Sequence, residues 1–166
     1  GMVPYYVVQI YYLQKKYDDV INYGQALTDT AKGKNIVPVY RILAESYYVK
    51  DNDAKAIEFY GKFLENGQTL EREGTYKLGR AYYNTGKYAE ASDKLASVTG
   101  EEDSLAQNAW YTLADCYLKL KQEQKALDAF KMAYKVNPDQ TVTTAALFDS
   151  AKLSFKLDLD QIARAY

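Results

Sequence analysis

The chain has 166 residues, of which 48% are hydrophobic and 26% are charged, and this composition suits one compact domain or a short repeat array. Its 21 basic and 22 acidic residues leave a net charge of -1, which argues against nucleic acid or an anionic membrane as a partner. With one cysteine and no histidine, an internal disulfide and the common zinc sites are excluded. No run of about 18 apolar residues occurs, so we expect no membrane-inserted segment.

Pairs of amphipathic helices are predicted along the chain. Apolar residues recur three and four positions apart in segments such as "VYRILAESYYV" (39–49) and "AKAIEFYGKFL" (54–64), which is the period of a helix with one buried face. Turn signals separate such segments, as in "NTGK" (84–87), where Gly86 can take the left-handed conformation that ends a helix. Two helices joined so tightly run antiparallel.

The helix pairs repeat along the chain with a spacing of 35 or 36 residues. Aligning the chain on a small residue followed by an aromatic residue four positions later gives Val20/Gly24, Ala56/Tyr60, Ala91/Leu95 and Ala126/Phe130, and the first pair departs most from this pattern. A tyrosine recurs in the same register at Tyr11, Tyr47, Tyr82 and Tyr117. These landmarks divide the chain into copies at about 1–36, 37–71, 72–106 and 107–140, with a partial fifth copy at 141–166.

The register of the fifth copy stays open. Leu147, Ala151 and Phe155 suit one register, whereas Leu159, Ile162 and Tyr166 suit another that begins one residue earlier.

The fourth copy carries the fullest set of landmarks. It reads Trp110, Leu113-Ala114, Tyr117, Ala126, Phe130, Ala133 and Pro138. This series resembles the tetratricopeptide repeat (TPR) family, whose pattern is W-x2-LG-x2-Y, then A-x3-F, then A and P, over about 34 residues. The resemblance implies a single all-α domain over residues 1–166, a right-handed α-solenoid of stacked antiparallel helix hairpins.

Trp110 and Cys116 are the only residues of their kind, which raises the question of a reactive centre. A catalytic cysteine needs a neighbouring base such as histidine to form its thiolate, and the chain has none. Cys116 follows Leu113 by three positions on a predicted helix, so we expect a buried thiol. Trp110 takes the place of Tyr40 and Thr75 in other copies, and we expect it to pack between paired helices.

Sequence motifs of enzymes are absent. The chain contains no P-loop, dinucleotide-binding glycine pattern or G-x-S-x-G nucleophile motif. Asp18 and Asp19 are adjacent on a predicted helix and point apart, so they cannot act as an acid and base pair. We therefore expect a protein that is not an enzyme, with no catalytic residue, no cofactor and no metal site.

One stripe of each first helix is rich in tyrosine and lies beside the packing face, at positions spaced i, i+4, i+7. The TPR resemblance implies that this stripe lines a concave groove that binds a protein or an extended peptide, since tyrosine and arginine are over-represented at binding hot spots. The alternative is that these tyrosines are half-buried fillers between neighbouring helices. The candidate partner-binding residues are Tyr5, Tyr12, Arg41, Glu45, Tyr48, Tyr76, Arg80, Tyr83, Tyr111 and Asp115.

The same resemblance argues against one known mode of TPR binding. Domains that hold a chaperone's C-terminal carboxylate have lysine, asparagine and arginine at five set positions. Here those positions are Tyr5, Gln9, Ile42, Glu73 and Lys77. We expect no such carboxylate clamp.

A second function is open: a spacer segment of a longer repeat protein that acts by self-association or assembly. Gly1 ahead of Met2, and an end without a helix stop signal, indicate an excised piece whose cut ends could self-associate. The second helices "KYDDVINYGQAL" (16–27) and "KYAEASDKLASV" (87–98) are similar to those of bacterial envelope repeat proteins such as outer-membrane assembly lipoproteins. That similarity favours the periplasmic side of a bacterial envelope over the cytoplasm.

Overall fold

Within residues 3–31 and 33–166, which the computed structural model describes, the regular structure is helical. The helices are α1 (Val3–Leu13), α2 (Tyr17–Thr30), α3 (Val37–Val49), α4 (Asp53–Glu65), α5 (Arg72–Asn84), α6 (Tyr88–Ala96), α7 (Ser104–Lys119), α8 (Glu123–Val136) and α9 (Gln140–Ala165), with a short 3₁₀ turn at Lys34–Ile36. The all-α class predicted from the sequence is confirmed. No helix of the described residues combines the length and the apolar character needed to cross a bilayer.

The helices group into two compact units. Unit 1 comprises the residues up to Thr85 and holds α1 to α5, and unit 2 begins at Gly86 and holds α6 to α9. In unit 1, α1 packs on α2 and α3 on α4, while α1 also contacts α3 and α3 contacts α5. In unit 2, α7 packs on α6 and α8, and α9 packs on α8 and contacts α7. The first helices α1, α3 and α5 are therefore successive neighbours in unit 1.

The core of unit 1 forms where α3 and α4 approach. Ala44 and Ala56 are fully buried, as the small residues of the repeat predict, because only short side chains let two helix backbones come close. Phe59 is also fully buried and stacks on Tyr47, with ring centroids 5.7 Å apart, and on Tyr40 at 6.1 Å.

The core of unit 2 contains the single tryptophan and the single cysteine. Ala114 and Ala126 are fully buried beside Phe130, and Trp110 is half-buried against this cluster. Cys116 is fully buried. The expectations of a packing tryptophan and a buried thiol are both confirmed.

The turns after the first helices share one backbone conformation. Their left-handed residues are Lys15, Asp51, Gly86 and Lys121, which recur every 35 or 36 residues. In three of these turns the next backbone N–H donates to a tyrosine carbonyl five positions back, at Tyr11, Tyr47 and Tyr117, over 2.8–2.9 Å. This bond closes the helix end as in a Schellman motif. Gly86 adopts the left-handed conformation that the sequence predicts.

A buried glutamine fixes the start of α9. Gln107 of α7 is fully buried, and its amide nitrogen donates to the carbonyl of Ala133 at 3.0 Å and to the hydroxyl of Thr143 at 2.8 Å. Its amide oxygen accepts from the backbone N–H of Asp139 at 2.9 Å. One side chain thus joins α7 to the end of α8, the α8–α9 turn and the first turn of α9.

The helix α9 has one packed face and one apolar face in solvent. The packed face carries Ala146, Ser150 and Leu153, so Leu147, Ala151 and Phe155 of the first proposed register are exposed instead. An exposed stripe, defined here as the α9 stripe, consists of Phe148, Phe155, Leu159, Ile162 and Tyr166, each at least 50% exposed.

Candidate functional site

The candidate binding residues lie on the first helices of the pairs. Unit 1 carries Tyr5 and Tyr12 on α1, Arg41, Glu45 and Tyr48 on α3, and Tyr76, Arg80 and Tyr83 on α5, while Tyr111 and Asp115 lie on α7 of unit 2. All are half-buried except Glu45, which is buried. Half-buried rings can both support the helix packing and present a face to a partner.

Three of these residues form one hydrogen-bonded cluster across α1 and α3. The Tyr12 hydroxyl donates to the Glu45 carboxylate, and Arg41 Nη1 donates to the other Glu45 oxygen at 3.1 Å. The Arg41 guanidinium also lies 5.9 Å from the centre of the Tyr12 ring. Glu45 is only 8% exposed, so these two donors offset the cost of burying its charge.

The cluster keeps its proton on Tyr12 at neutral pH. Burial, followed by the hydrogen bond to Glu45, raises the pKa of Tyr12 to about 12. The hydroxyl is therefore a donor to the carboxylate throughout the physiological range. Two fixed donors hold Glu45 in one position.

A pocket of about 390 Å³ lies beside this cluster and is called the α3–α5 pocket. Its walls include Tyr12, Arg41, Glu45, Phe63, Leu70, Glu71, Glu73 and Lys77, all in unit 1. The volume is near the lower end of the range for ligand pockets, about 300–1,000 Å³. Apolar and charged side chains both face it, as in sites that fix the orientation of a ligand.

Three further tyrosines of unit 1 lie on α4 and α5, of which Tyr60 is fully buried. The Tyr60 hydroxyl is buried without a hydrogen-bond partner among the described residues, and burial, then the nearby Glu45 carboxylate, raises its pKa. Burial also raises the pKa of Tyr76, and the positive charge of Arg80 reduces this rise. The Arg80 guanidinium lies 5.6 Å from the centre of the Tyr83 ring. In unit 1, arginine side chains thus lie beside the rings of Tyr12 and Tyr83.

In unit 2 the candidate residue Tyr111 has a partner that sequence reasoning missed. The Tyr111 hydroxyl donates to Asp149 of α9 over 2.5 Å, and burial, then this bond, raises the pKa of Tyr111 to about 12. Asp149 also pairs with Lys152 at 3.1 Å. Asp149 lies in the fifth copy, whose register the sequence left open, so its position beside Tyr111 could not be derived.

The candidate residues are mostly tyrosines and charged side chains, and the cysteine lies apart from them in the core. Among the described residues, no three histidine, cysteine, aspartate or glutamate side chains are grouped as a metal site requires. Cys116 is buried in the core, away from solvent. The candidate residues include ring faces, hydroxyl groups and charges of both signs, which are the groups that interfaces between proteins use.

Similar proteins support the repeat architecture. MamA aligns over 91% of this chain and 81% of its own, with 19% identity and a TM-score of 0.72. YrrB, described as a TPR protein with an unusual peptide-binding site, aligns over 86% of this chain and 72% of its own, with 21% identity and a TM-score of 0.65. At such identities the likeness shows the fold.

Sequence comparison gives closer matches over shorter segments. A chloroplast protein of Arabidopsis thaliana is 34% identical over 86 residues, which are 49% of this chain and 25% of that protein. The chain therefore spans about a quarter of the length of this curated relative. A sequence model of the family described as anaphase-promoting complex, cyclosome, subunit 3 matches residues 49–133, just over half of the chain. The chain belongs to this family, whose repeats are of the tetratricopeptide type.

Proposed function

We propose that the chain is a non-enzymatic scaffold that binds another protein, or an extended peptide segment of one, on the tyrosine-rich face of its first helices. The observation that carries the proposal is the Tyr12–Arg41–Glu45 cluster beside the α3–α5 pocket. It lies where α1, α3 and α5 are neighbours, and it combines accessible rings with charges that are already oriented. The TPR fold and the peptide-binding site named for YrrB support a peptide as the ligand.

The binding groups divide into two kinds by their physical effect. Tyrosine rings offer large, rigid apolar area at a low cost in side-chain entropy, and they supply most of the affinity. Charged groups such as Arg80 and Asp115 act on direction and selectivity more than on affinity, because exposed charges are screened. A bound segment would place apolar side chains on the rings and polar groups beside the charges.

The test is a titration of a partner isolated with this chain as bait. Truncating Tyr83 or Tyr111 to alanine should weaken binding by about 2 kcal/mol, roughly thirtyfold, because a few aromatic residues dominate such interfaces. A charge reversal at Arg80 should change the salt dependence more than the affinity at low salt. Isothermal titration calorimetry with folded variants measures both effects.

The matched control is Tyr23→Ala, which removes a tyrosine that is 39% exposed on the second helix α2. It should bind like the parent. Equal affinity of Tyr83→Ala, Tyr111→Ala and Tyr23→Ala would place the binding surface elsewhere on the molecule.

A second candidate function is assembly through the end of the chain, and the α9 stripe favours it. Phe148, Phe155 and Ile162 are 63%, 66% and 55% exposed and lie on one side of a single helix. Large apolar side chains grouped in this way mark interaction surfaces. In this candidate, copies of the chain associate through the stripe and act as a spacer.

Light scattering after size-exclusion chromatography tests this assembly. If the stripe holds copies together, Phe155→Lys should lower the molar mass to that of a monomer, because a buried unpaired charge opposes association. Val49→Lys, at a residue that is 45% exposed on α3, should leave the mass unchanged. A monomeric parent at high concentration would contradict the assembly function.

A further inference from the structure

The α3–α5 pocket carries more negative than positive charge. Glu45, Glu71 and Glu73 contribute three carboxylates, whereas Arg41 and Lys77 contribute two cations. The residues that line the pocket therefore include one more carboxylate than cations.

The two cations are already paired. Arg41 binds Glu45 at 3.1 Å, and Lys77 binds Glu73 at 3.5 Å. The side chain of Glu71, just before the first turn of α5, forms neither a hydrogen bond nor an ion pair with another described residue, and it does not cap the helix. Its carboxylate is thus the one charged group of the pocket that lacks a counter-charge within the described part of the chain.

The remaining walls suit the stem of a long side chain. Phe63 is 8% exposed and Leu70 is half-buried, and both line the pocket together with the ring of Tyr12. Lysine and arginine side chains bury an apolar stem along such surfaces while their charged ends reach polar groups. The volume of about 390 Å³ accommodates a side chain and its flanking backbone.

We propose that the α3–α5 pocket binds one arginine side chain of the partner segment, an inference that rests on the proposed peptide-binding function. The aliphatic stem lies along Leu70 and Phe63, and the guanidinium donates to Glu71 and to the exposed carboxylate of Glu73. Arginine fits better than lysine because its planar group bonds carboxylates in pairs and stacks on aromatic rings such as Tyr12.

An anionic ligand is the main alternative to arginine in this pocket. Arg41, Lys77 and the first turn of α5 could attract an anion, since the N-terminus of a helix carries partial positive charge. An anion in the pocket would, however, lie beside three carboxylates and compete with Glu45 and Glu73 for cations that they already hold. Charge complementarity therefore favours a cationic occupant.

The experiment uses small probes, so it does not depend on the identity of the partner. The ¹⁵N-labelled chain is titrated with N-acetyl-arginine methylamide, and with the glutamate and norleucine methylamides as matched probes, while the amide resonances are recorded. We expect saturable shifts at Thr69, Leu70 and Gly74, which line the pocket, with the arginine probe alone. Glu71→Gln should weaken arginine binding by about threefold, as for an exposed ion pair.

The control variant is Glu65→Gln, an exposed glutamate of α4 outside the pocket, and it should bind the arginine probe like the parent. Saturable shifts with the glutamate probe, equal shifts with all probes, no saturable binding, or an unchanged affinity in Glu71→Gln would each overturn the inference. A partner that binds through Tyr83 while the pocket shows no preference for arginine would refute this inference and leave the proposed function standing. If the probe binds while Tyr83→Ala, Tyr111→Ala and Tyr23→Ala all hold the partner equally, the proposed function fails.

Discussion

Replacing Trp110 by alanine should lower the free energy of unfolding by about 3–5 kcal/mol. The indole packs on the cluster around Ala114, Ala126 and Phe130, so truncation leaves a cavity that neighbouring helices cannot fill. Heat or guanidinium unfolding followed by circular dichroism measures the loss.

Trp110→Phe is the matched control. The Trp110 Nε1 atom is buried and has no hydrogen-bond acceptor among the described residues, so phenylalanine keeps most of the packing and removes an unpaired donor. We expect stability within about 1 kcal/mol of the parent for this change. If Trp110→Ala unfolds like the parent yet loses partner binding, the indole is a binding group and its structural role is refuted.

Replacing Gln107 by leucine should lower the free energy of unfolding by about 2–3 kcal/mol. Leucine preserves much of the volume but leaves the carbonyl of Ala133 and the N–H of Asp139 without this partner, and unpaired buried groups cost about 1–3 kcal/mol each. The start of α9 should loosen first, because Gln107 joins α7 to Thr143 in its first turn.

Hydrogen exchange separates this effect from a general loss of stability. Amides of the first two turns of α9 should exchange faster in Gln107→Leu than those of α7. Gln124→Leu, at an exposed glutamine of α8, should change stability by no more than about 0.5 kcal/mol. Uniform exchange across unit 2 would show that Gln107 has no special role at the α8–α9 turn.

Much of the fold follows from the sequence because short-range rules determine it. The spacing of small residues predicts the buried contacts at Ala44, Ala56, Ala114 and Ala126, and all four are fully buried. The turn signal at Gly86 predicts a left-handed residue, which the structure contains. These features depend on residues a few positions apart on one helix or turn, where periodicity and backbone sterics decide the outcome.

The site was less predictable because its contacts join distant parts of the chain. The position of Glu45 in the repeat predicts a side chain that faces the groove. In the structure this side chain is buried, because it accepts hydrogen bonds from Arg41 and from Tyr12, which lies 33 residues earlier. The bond from Tyr111 to Asp149 spans 38 residues. Such pairs depend on how helices stack, which a single sequence does not specify to within one residue.

The register of α9 shows the same limit. Its apolar residues outnumber those that one face can bury, so pattern alone allows more than one packed face. The structure packs Ala146, Ser150 and Leu153, two of which are small or polar, and leaves Phe148 and Phe155 in solvent. Close approach to α8 selects short side chains over the most hydrophobic ones.

The left-handed turn residues have a consequence for how this protein can evolve. Lys15, Asp51 and Lys121 each hold a conformation that costs a residue with a Cβ atom about 1–2 kcal/mol, whereas the equivalent turn uses Gly86. A change to glycine at any one of these three turns would remove that conformational cost. Glycine loses more conformational entropy on folding, and this loss would offset part of the gain in stability. The chain therefore has simple mutational routes to a higher melting temperature, none of which replaces a residue of the tyrosine stripe. A lineage that took one of them could tolerate destabilising substitutions among the candidate binding residues without losing the fold.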